Sequence, residues 1–286
     1  MTPGEMSQSR RLRTQIASAV VANSGLAGRG LFPGLKACSY PFLNCYACPL
    51  AIGACPVGTI QHFTIIRRVP LYVVGVLGVV GSIWGRMSCA WLCPFGLVQD
   101  LLHRVPWPGP RPRLDTRRWS WVKYVVLAVL VLAVPYITLE PWFCKLCPAG
   151  TLEGGLPWLS ISAPLRALVG PLFWLKISIL AAFVVGSVLI SRPFCRLACP
   201  LGATYGLANR WSRVQITVDR DRCTGCGVCA RSCPMGLRPH LDASSTDCIR
   251  CEQCLGYCEH IRLSSPPWPR LGAPRRASGE VGGSGV

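Results

Sequence analysis

The sequence predicts a mainly α membrane protein: a four-helix transmembrane bundle with an internal two-fold repeat, followed by a small α+β domain. Three observations carry this expectation. The 286 residues are 51% hydrophobic and only 15% charged, against about 25% charged in an average soluble domain. The missing charge is concentrated in four apolar stretches. Cysteine is abundant, at 18 residues, and it recurs in matched spacings.

The first apolar stretch lies near 14–31 and is interrupted by Asn23 and Arg29. Ser9-Arg10-Arg11 resembles the start of a twin-arginine leader. However, Arg13 and Thr14 occupy positions where that signal has apolar residues, and no A-x-A cleavage site follows. The stretch is therefore read as an uncleaved first helix. The other three run about 69–85, 119–138 and 168–190. A helix needs about 20 apolar residues to cross a hydrocarbon core of about 30 Å; the third and fourth meet this, and the second is short. Basic residues cluster on one side of the predicted spans: Arg10, Arg11 and Arg13, then the 86–118 loop with Arg86, Arg104, Arg111, Arg113, Arg117 and Arg118, then Arg192, Arg196, Arg210 and Arg213. The opposite side holds Lys36, Arg67, Arg68, Lys145 and Arg166. The richer side is expected in the cytoplasm, which places both termini there and the chain in the cytoplasmic membrane. The net charge of +18 is then mostly topology and contact with anionic lipid, not nucleic-acid binding. The domains follow as 1–213 in the membrane, 214–262 in the cytoplasm, and a Pro-, Gly- and Ser-rich tail at 263–286, expected to be disordered.

The cytoplasmic segment carries the sharpest pattern. Cys223, Cys226, Cys229 and Cys233-Pro234 stand at C-x2-C-x2-C-x3-C-P, and Cys248, Cys251, Cys254 and Cys258 repeat the spacing. This is the bacterial run for two [4Fe–4S] clusters, in which the fourth cysteine of each run ligates the other cluster. Cys223, Cys226, Cys229 and Cys258 are expected on one cluster, and Cys248, Cys251, Cys254 and Cys233 on the other. Zinc ribbons use two C-x2-C pairs without a third cysteine two residues on, so the segment reads as a small α+β two-cluster ferredoxin domain. Such a pair carries single electrons and has no catalytic residue of its own.

The membrane part repeats itself around cysteine. Cys89-x3-Cys93-Pro94-Phe95-Gly96 follows the second stretch, and Cys195-x3-Cys199-Pro200-Leu201-Gly202 follows the fourth. Cys55-Pro-Val-Gly-Thr-Ile-Gln matches Cys147-Pro-Ala-Gly-Thr-Leu-Glu on the outer side. Two helix-pair repeats, roughly 14–96 and 119–202, would bring equivalent cysteines together. At the inner face that yields Cys89, Cys93, Cys195 and Cys199 as one candidate [4Fe–4S] set. Proline suits the first helical turn, and the positive helix end favours an anionic cluster. Outside lie Cys38, Cys45, Cys48, Cys55, Cys144 and Cys147. Three disulfides are one reading of these six; an exchangeable dithiol and a cluster are the others. As a cluster, the favoured set is Cys48, Cys55, Cys144 and Cys147, with Cys45 as a close substitute. Lys176, inside the fourth stretch, is costly in lipid and either functional or snorkelling. No C-x-x-C-H, nucleotide-binding or flavin pattern occurs.

With these motifs in hand, SCAWLCPFG at 88–96, RPFCRLACPLGATYG at 192–206 and the two-cluster tail resemble the NapH/MauN/NosR type of membrane ferredoxin proteins, over about residues 10–262. The resemblance implies four spans, cytoplasmic termini, and electron transfer between the quinol pool and an extracytoplasmic redox partner. It also implies that Cys89, Cys93, Cys195 and Cys199 are functional and that the eight tail cysteines bind clusters. The segment NCYACPLAIGACPVG at 44–58 goes beyond the NapH pattern. The expected function is that of an electron-transfer subunit of an oxidoreductase, with lipid, redox proteins and quinol as partners. Arg86, Trp91 and His103 are candidates to border a quinol. The alternative is an accessory factor that reduces or matures an extracytoplasmic metalloenzyme.

Overall fold

A computed structural model of the chain describes residues 3–25, 36–112, 116–167 and 169–264. The end of the first apolar stretch, at 26–35, and the tail from 265 onward lie outside the described residues. What is described is mainly helical, with one two-stranded antiparallel sheet that pairs β1 (Gln215–Val218) with β2 (Ile261–Ser264).

Among the described residues, one helix is long and apolar enough to cross a membrane: Pro171–Leu189, with mean hydropathy 2.2 over its best window. Two shorter apolar helices, Leu71–Trp84 and Val122–Thr138, accompany it. All three present wide apolar surface outward. Leu71 is 74% exposed, Ile137 77% and Trp174 64%, where a water-soluble core helix would hide such residues. The Val122–Thr138 helix loosens to π geometry over Val126–Ala133, just ahead of Pro135.

The first helix differs from the hydropathy reading. It spans Pro3–Ala22, beginning well before residue 14. Helix formation does not require apolarity, and its polar half has its own partners. Ser7, Arg11 and Gln15 are buried against neighbouring elements. Arg11 donates to Asp100 at 3.1 Å, and Ser18 donates to the Leu92 carbonyl at 2.8 Å.

Four short helices begin at proline directly after cysteine, at Pro56, Pro94, Pro148 and Pro200. Each cysteine is extended, with φ near −70°, so the proline opens the helix without losing a hydrogen bond. One continuous core runs through Cys55, Cys147, Cys89, Cys93 and Cys199 to Met235 and Ile249 in the C-terminal segment, and Cys233 and Cys251 pack against it. A satellite core of Ile216, Cys229, Cys254 and Ile261 holds the rest of that segment.

Candidate iron–sulfur sites

In the C-terminal segment from 214 onward the eight cysteines fall into two interleaved groups. Cys229 lies within electrostatic reach of Cys258 and Cys223. Cys254 lies within reach of Cys251, Cys248 and Cys233, and Cys248 of Cys251 and Cys233. The fourth cysteine of each run thus stands with the other run: Cys258 with Cys223 and Cys229, and Cys233 with Cys248, Cys251 and Cys254. The tight loops need positive φ, which Gly225 and Gly227 supply at 68° and 69°. Burial raises the Cys233 thiol to about 11 and Cys248 to about 12. In contrast, Cys226 at the outer rim is lowered, chiefly by the Val228 amide.

The inner four cysteines converge, and their surroundings come in matching pairs. Gly96 N–H donates to Cys93 Sγ at 3.4 Å, and Gly202 N–H to Cys199 Sγ at 3.3 Å. Arg86, just past the second stretch, donates to the Cys195 carbonyl at 3.1 Å. Arg192, just past the fourth, donates to the Cys89 carbonyl at 2.9 Å. Both guanidiniums are 0% exposed. Arg86 interacts with Cys89, Cys195 and Cys199, and Arg192 with Cys195 and Cys93. Gln99 Nε2 donates to Cys195 Sγ at 3.3 Å while its Oε1 accepts from Phe194 N–H. Burial, and then the neighbouring cysteines, push the Cys93 and Cys199 thiols far up.

The buried arginines are anchored in turn by buried carboxylates. Asp100 accepts from Arg192 at 2.7 and 2.5 Å and from Arg11. Asp247, beside Cys248, accepts from Arg86 at 3.3 Å and from Lys123. Asn209 donates to the Cys248 and Ser245 carbonyls at 2.7 and 3.1 Å, Trp91 Nε1 to the Arg250 carbonyl at 3.3 Å, and Arg196 to the Pro234 carbonyl. The C-terminal cysteines are therefore seated on the inner set through a buried polar joint. Sequence reading missed Asp100, Asp247 and Lys123. The available signal was their rarity: only 12 acidic residues against 30 basic ones, with one lysine inside the third apolar stretch.

On the outer side, Cys45 interacts with Cys55, and Cys144 with Cys55 and Cys45. Cys147 interacts with Cys55, Cys144 and Cys45. Cys48 is near Cys45 but buried at 4% exposure, with its thiol 3.7 Å from Asn23 Oδ1. Cys38 is exposed. The inner and outer sets are close: Cys93 Sγ is 3.8 Å from the Leu43 carbonyl, and Cys45 follows two residues later, at most about 7 Å along the chain. Lys176 carries its charge toward Cys144.

Among the described residues, no three His, Cys, Asp or Glu side chains come close enough for a single metal ion. The donor chemistry fits a cluster. Thiolates are the ligands that iron–sulfur clusters use, N–H groups aimed at sulfur tune them, and buried cations offset their negative charge. Of the quinol candidates, His103 lines a cleft of about 1960 Å³ that also reaches Cys233 and Arg196. Arg86 is committed to the joint, and Trp91 to the Arg250 carbonyl.

A 4Fe–4S binding domain family matches residues 68–114, 122–162 and 171–218, and a second 4Fe–4S binding domain family matches 215–237. The chain is 30% identical to the methylamine utilization ferredoxin-type protein MauN of Methylorubrum extorquens, over 84% of this chain and 79% of that one. It is 28% identical to an uncharacterised protein of Methanocaldococcus jannaschii, over 73% of this chain and 76% of the relative. It is 27% identical to the ferredoxin-type protein NapH of Escherichia coli, over 60% and 59%. No solved structure matches.

Proposed function

The chain belongs to the ferredoxin-type 4Fe–4S family that includes MauN, NapH and NosR, and we propose on that premise that it is a four-span membrane protein moving single electrons between the quinol pool or cytoplasmic donors and an extracytoplasmic redox partner. Its role in iron–sulfur electron transfer follows from the family. The further detail rests on one observation: of the three cysteine groups, Cys223/Cys226/Cys229/Cys258, Cys233/Cys248/Cys251/Cys254 and Cys89/Cys93/Cys195/Cys199, the second links the other two, with Cys233 and Cys251 packed on the core that holds Cys89, Cys93 and Cys199, and Cys248 and Cys254 in the satellite core with Cys229 and Cys258.

Each group would hold a [4Fe–4S] cluster, and such clusters pass electrons one at a time without bond chemistry. The chain's own residues fix the spacing between groups, exclude water and supply buried positive charge. The paired contacts of Arg86 with Arg192 and of Gly96 with Gly202 favour an internal two-fold repeat. Four spans are favoured by the exposed apolar helices. They are flanked by Trp84, Trp119, Trp121, Trp158 and Trp174, each at least 40% exposed, as residues at membrane interfaces are. Both termini would then be cytoplasmic. The cleft beside His103 opens near Leu189 and Ile190, at the end of the long apolar helix; an amphiphile such as quinol could reach Cys233 there.

The test uses proteoliposomes with ferricyanide trapped inside and dithionite outside. Anaerobically prepared protein should reduce the trapped ferricyanide, C93S and C199S should not, and all three should insert equally. Equal rates in wild type and C199S would refute the reading. A membrane-soluble quinol in place of dithionite tests that donor separately.

A further inference from the structure

The outer cysteines form a cage whose membership differs from the one that spacing suggests. The repeat pairs Cys55 with Cys147, and the cysteine shortly before each, Cys48 and Cys144, would then be counterparts. The fold makes a different pairing. Cys144 N–H donates to Gln61 Oε1 at 3.1 Å, and Cys45 N–H donates to Glu153 Oε2 at 2.6 Å. Gln61 and Glu153 are the matching seventh residues of the two C-P-x-G-T segments. A Cβ on Gly58 would lie 3.6 Å from Cys144 Sγ, and one on Gly150 would lie 3.5 Å from Cys45 Sγ. Each C-P-x-G glycine thus floors the cysteine contributed by the other half. By both criteria Cys45 is the counterpart of Cys144, while Cys48 turns toward Asn23.

A second observation points to an occupant. Asn44 is 0% exposed, and neither its Nδ2 nor its Oδ1 has a partner. Its backbone amide already faces Cys55, as do those of Val57 and Gly58. A fully buried amide without partners is costly, and a group in that state signals something polar beside it. Sulfide or thiolate sulfur would accept from Nδ2. Lys176, otherwise without explanation in an apolar helix, brings positive charge to the same place. None of the eighteen cysteines is in a disulfide.

We propose that Cys45, Cys55, Cys144 and Cys147 bind a [4Fe–4S] cluster of their own, with the Asn44 side chain donating to it and Cys48 outside it. This rests on the iron–sulfur reading of the other cysteine groups. Its place in the chain is between the inner set, two residues away through Leu43, and the outer surface.

The experiment uses full-length protein purified anaerobically in detergent. C45S and C147S should each lose about four irons per chain, while C48S retains the wild-type count and all three keep the EPR signals of the ferredoxin clusters. Asn44→Leu should keep the iron count but shift the midpoint potential of one cluster in a redox titration. In wild type, Cys45 should resist alkylation until iron is stripped with ferricyanide and EDTA. Full iron in C45S, a loss in C48S as large as in C45S, or unchanged Cys45 alkylation after stripping would overturn the assignment. Wild-type protein lacking even the ferredoxin signals would instead refute the underlying iron–sulfur reading.

Discussion

Asp100 is the residue on which the inner site most depends. It holds Arg192, which holds the Cys89 carbonyl, and it holds Arg11 of the first helix at the same time. Burial alone would raise its carboxyl, but Arg192 and then Arg11 pull it below the ordinary carboxylate range. A depressed folded-state value stabilises the fold above the unfolded value, about 3.9, and the contribution is lost only as pH falls through the lower folded value. Asp100→Asn keeps the shape and removes the charge, leaving two buried guanidiniums short of a counter-ion. The expected cost is about 3–5 kcal/mol, read as a lowered thermal midpoint in detergent at neutral pH; an unchanged midpoint would remove Asp100 from this role. The cysteines were legible in the sequence because metal ligation fixes their spacing along the chain. Asp100 was not, since its partners stand 92 and 89 residues away and no local pattern encodes such a pair. Cys45 illustrates the same limit. Its spacing to Cys48 is local, but whether it or Cys48 faces Cys144 depends on how loop 38–55 folds back.

At the scale of elements, glycine placement separates packing from permissiveness. The Leu71–Trp84 helix has glycines at 75, 78 and 81. A Cβ on Gly81 would lie 2.9 Å from the Ala208 Cβ, whereas Gly75 and Gly78 have nothing within 4 Å. Gly81 is therefore where this helix meets the Pro200–Ala208 helix that carries one side of the inner site. Gly81→Ala should destabilise by about 1–3 kcal/mol through overpacking. Gly78→Ala should be neutral or stabilising by up to about 1 kcal/mol through helix propensity. Thermal midpoints of the two variants check this, and equal shifts would contradict the packing. The apolar stretches predicted these helices to within a few residues, because hydropathy tracks burial in either protein or lipid. It underestimated the first helix, whose N-terminal half is polar and holds Ser7 and Arg11 buried, the latter through its ion pair with Asp100.

At the scale of the whole molecule, the joint between the C-terminal segment and the helices is the feature on which electron flow depends, because tunnelling falls steeply with distance. A mobile tether would leave the two ferredoxin groups at variable range from the inner set, whereas this joint is buried and polar. Asn209 is its hub. Its Oδ1 accepts from Arg86 N–H at 3.0 Å, and its Nδ2 donates to the Ser245 and Cys248 carbonyls. Its own carbonyl accepts from Arg250, which also reaches Trp84 and Ser212. Asn209→Ala removes three side-chain hydrogen bonds at about 0.5–1.5 kcal/mol each, about 1.5–4.5 kcal/mol together, and removes no cysteine thiol. Hydrogen exchange should then quicken at 245–250 and also at Arg213 and Val214, whose amides bond to the Ser82 and Ile83 carbonyls. The Pro171–Leu189 helix should keep its protection and the iron content should be unchanged. Dithionite-to-ferricyanide transfer in proteoliposomes should slow while dithionite reduction of the ferredoxin clusters does not. Faster exchange confined to 245–250 with undiminished transfer would mean that the segment is held by its apolar contacts through Met235 and Ile249 alone, and that the polar joint sets neither the distance nor the rate.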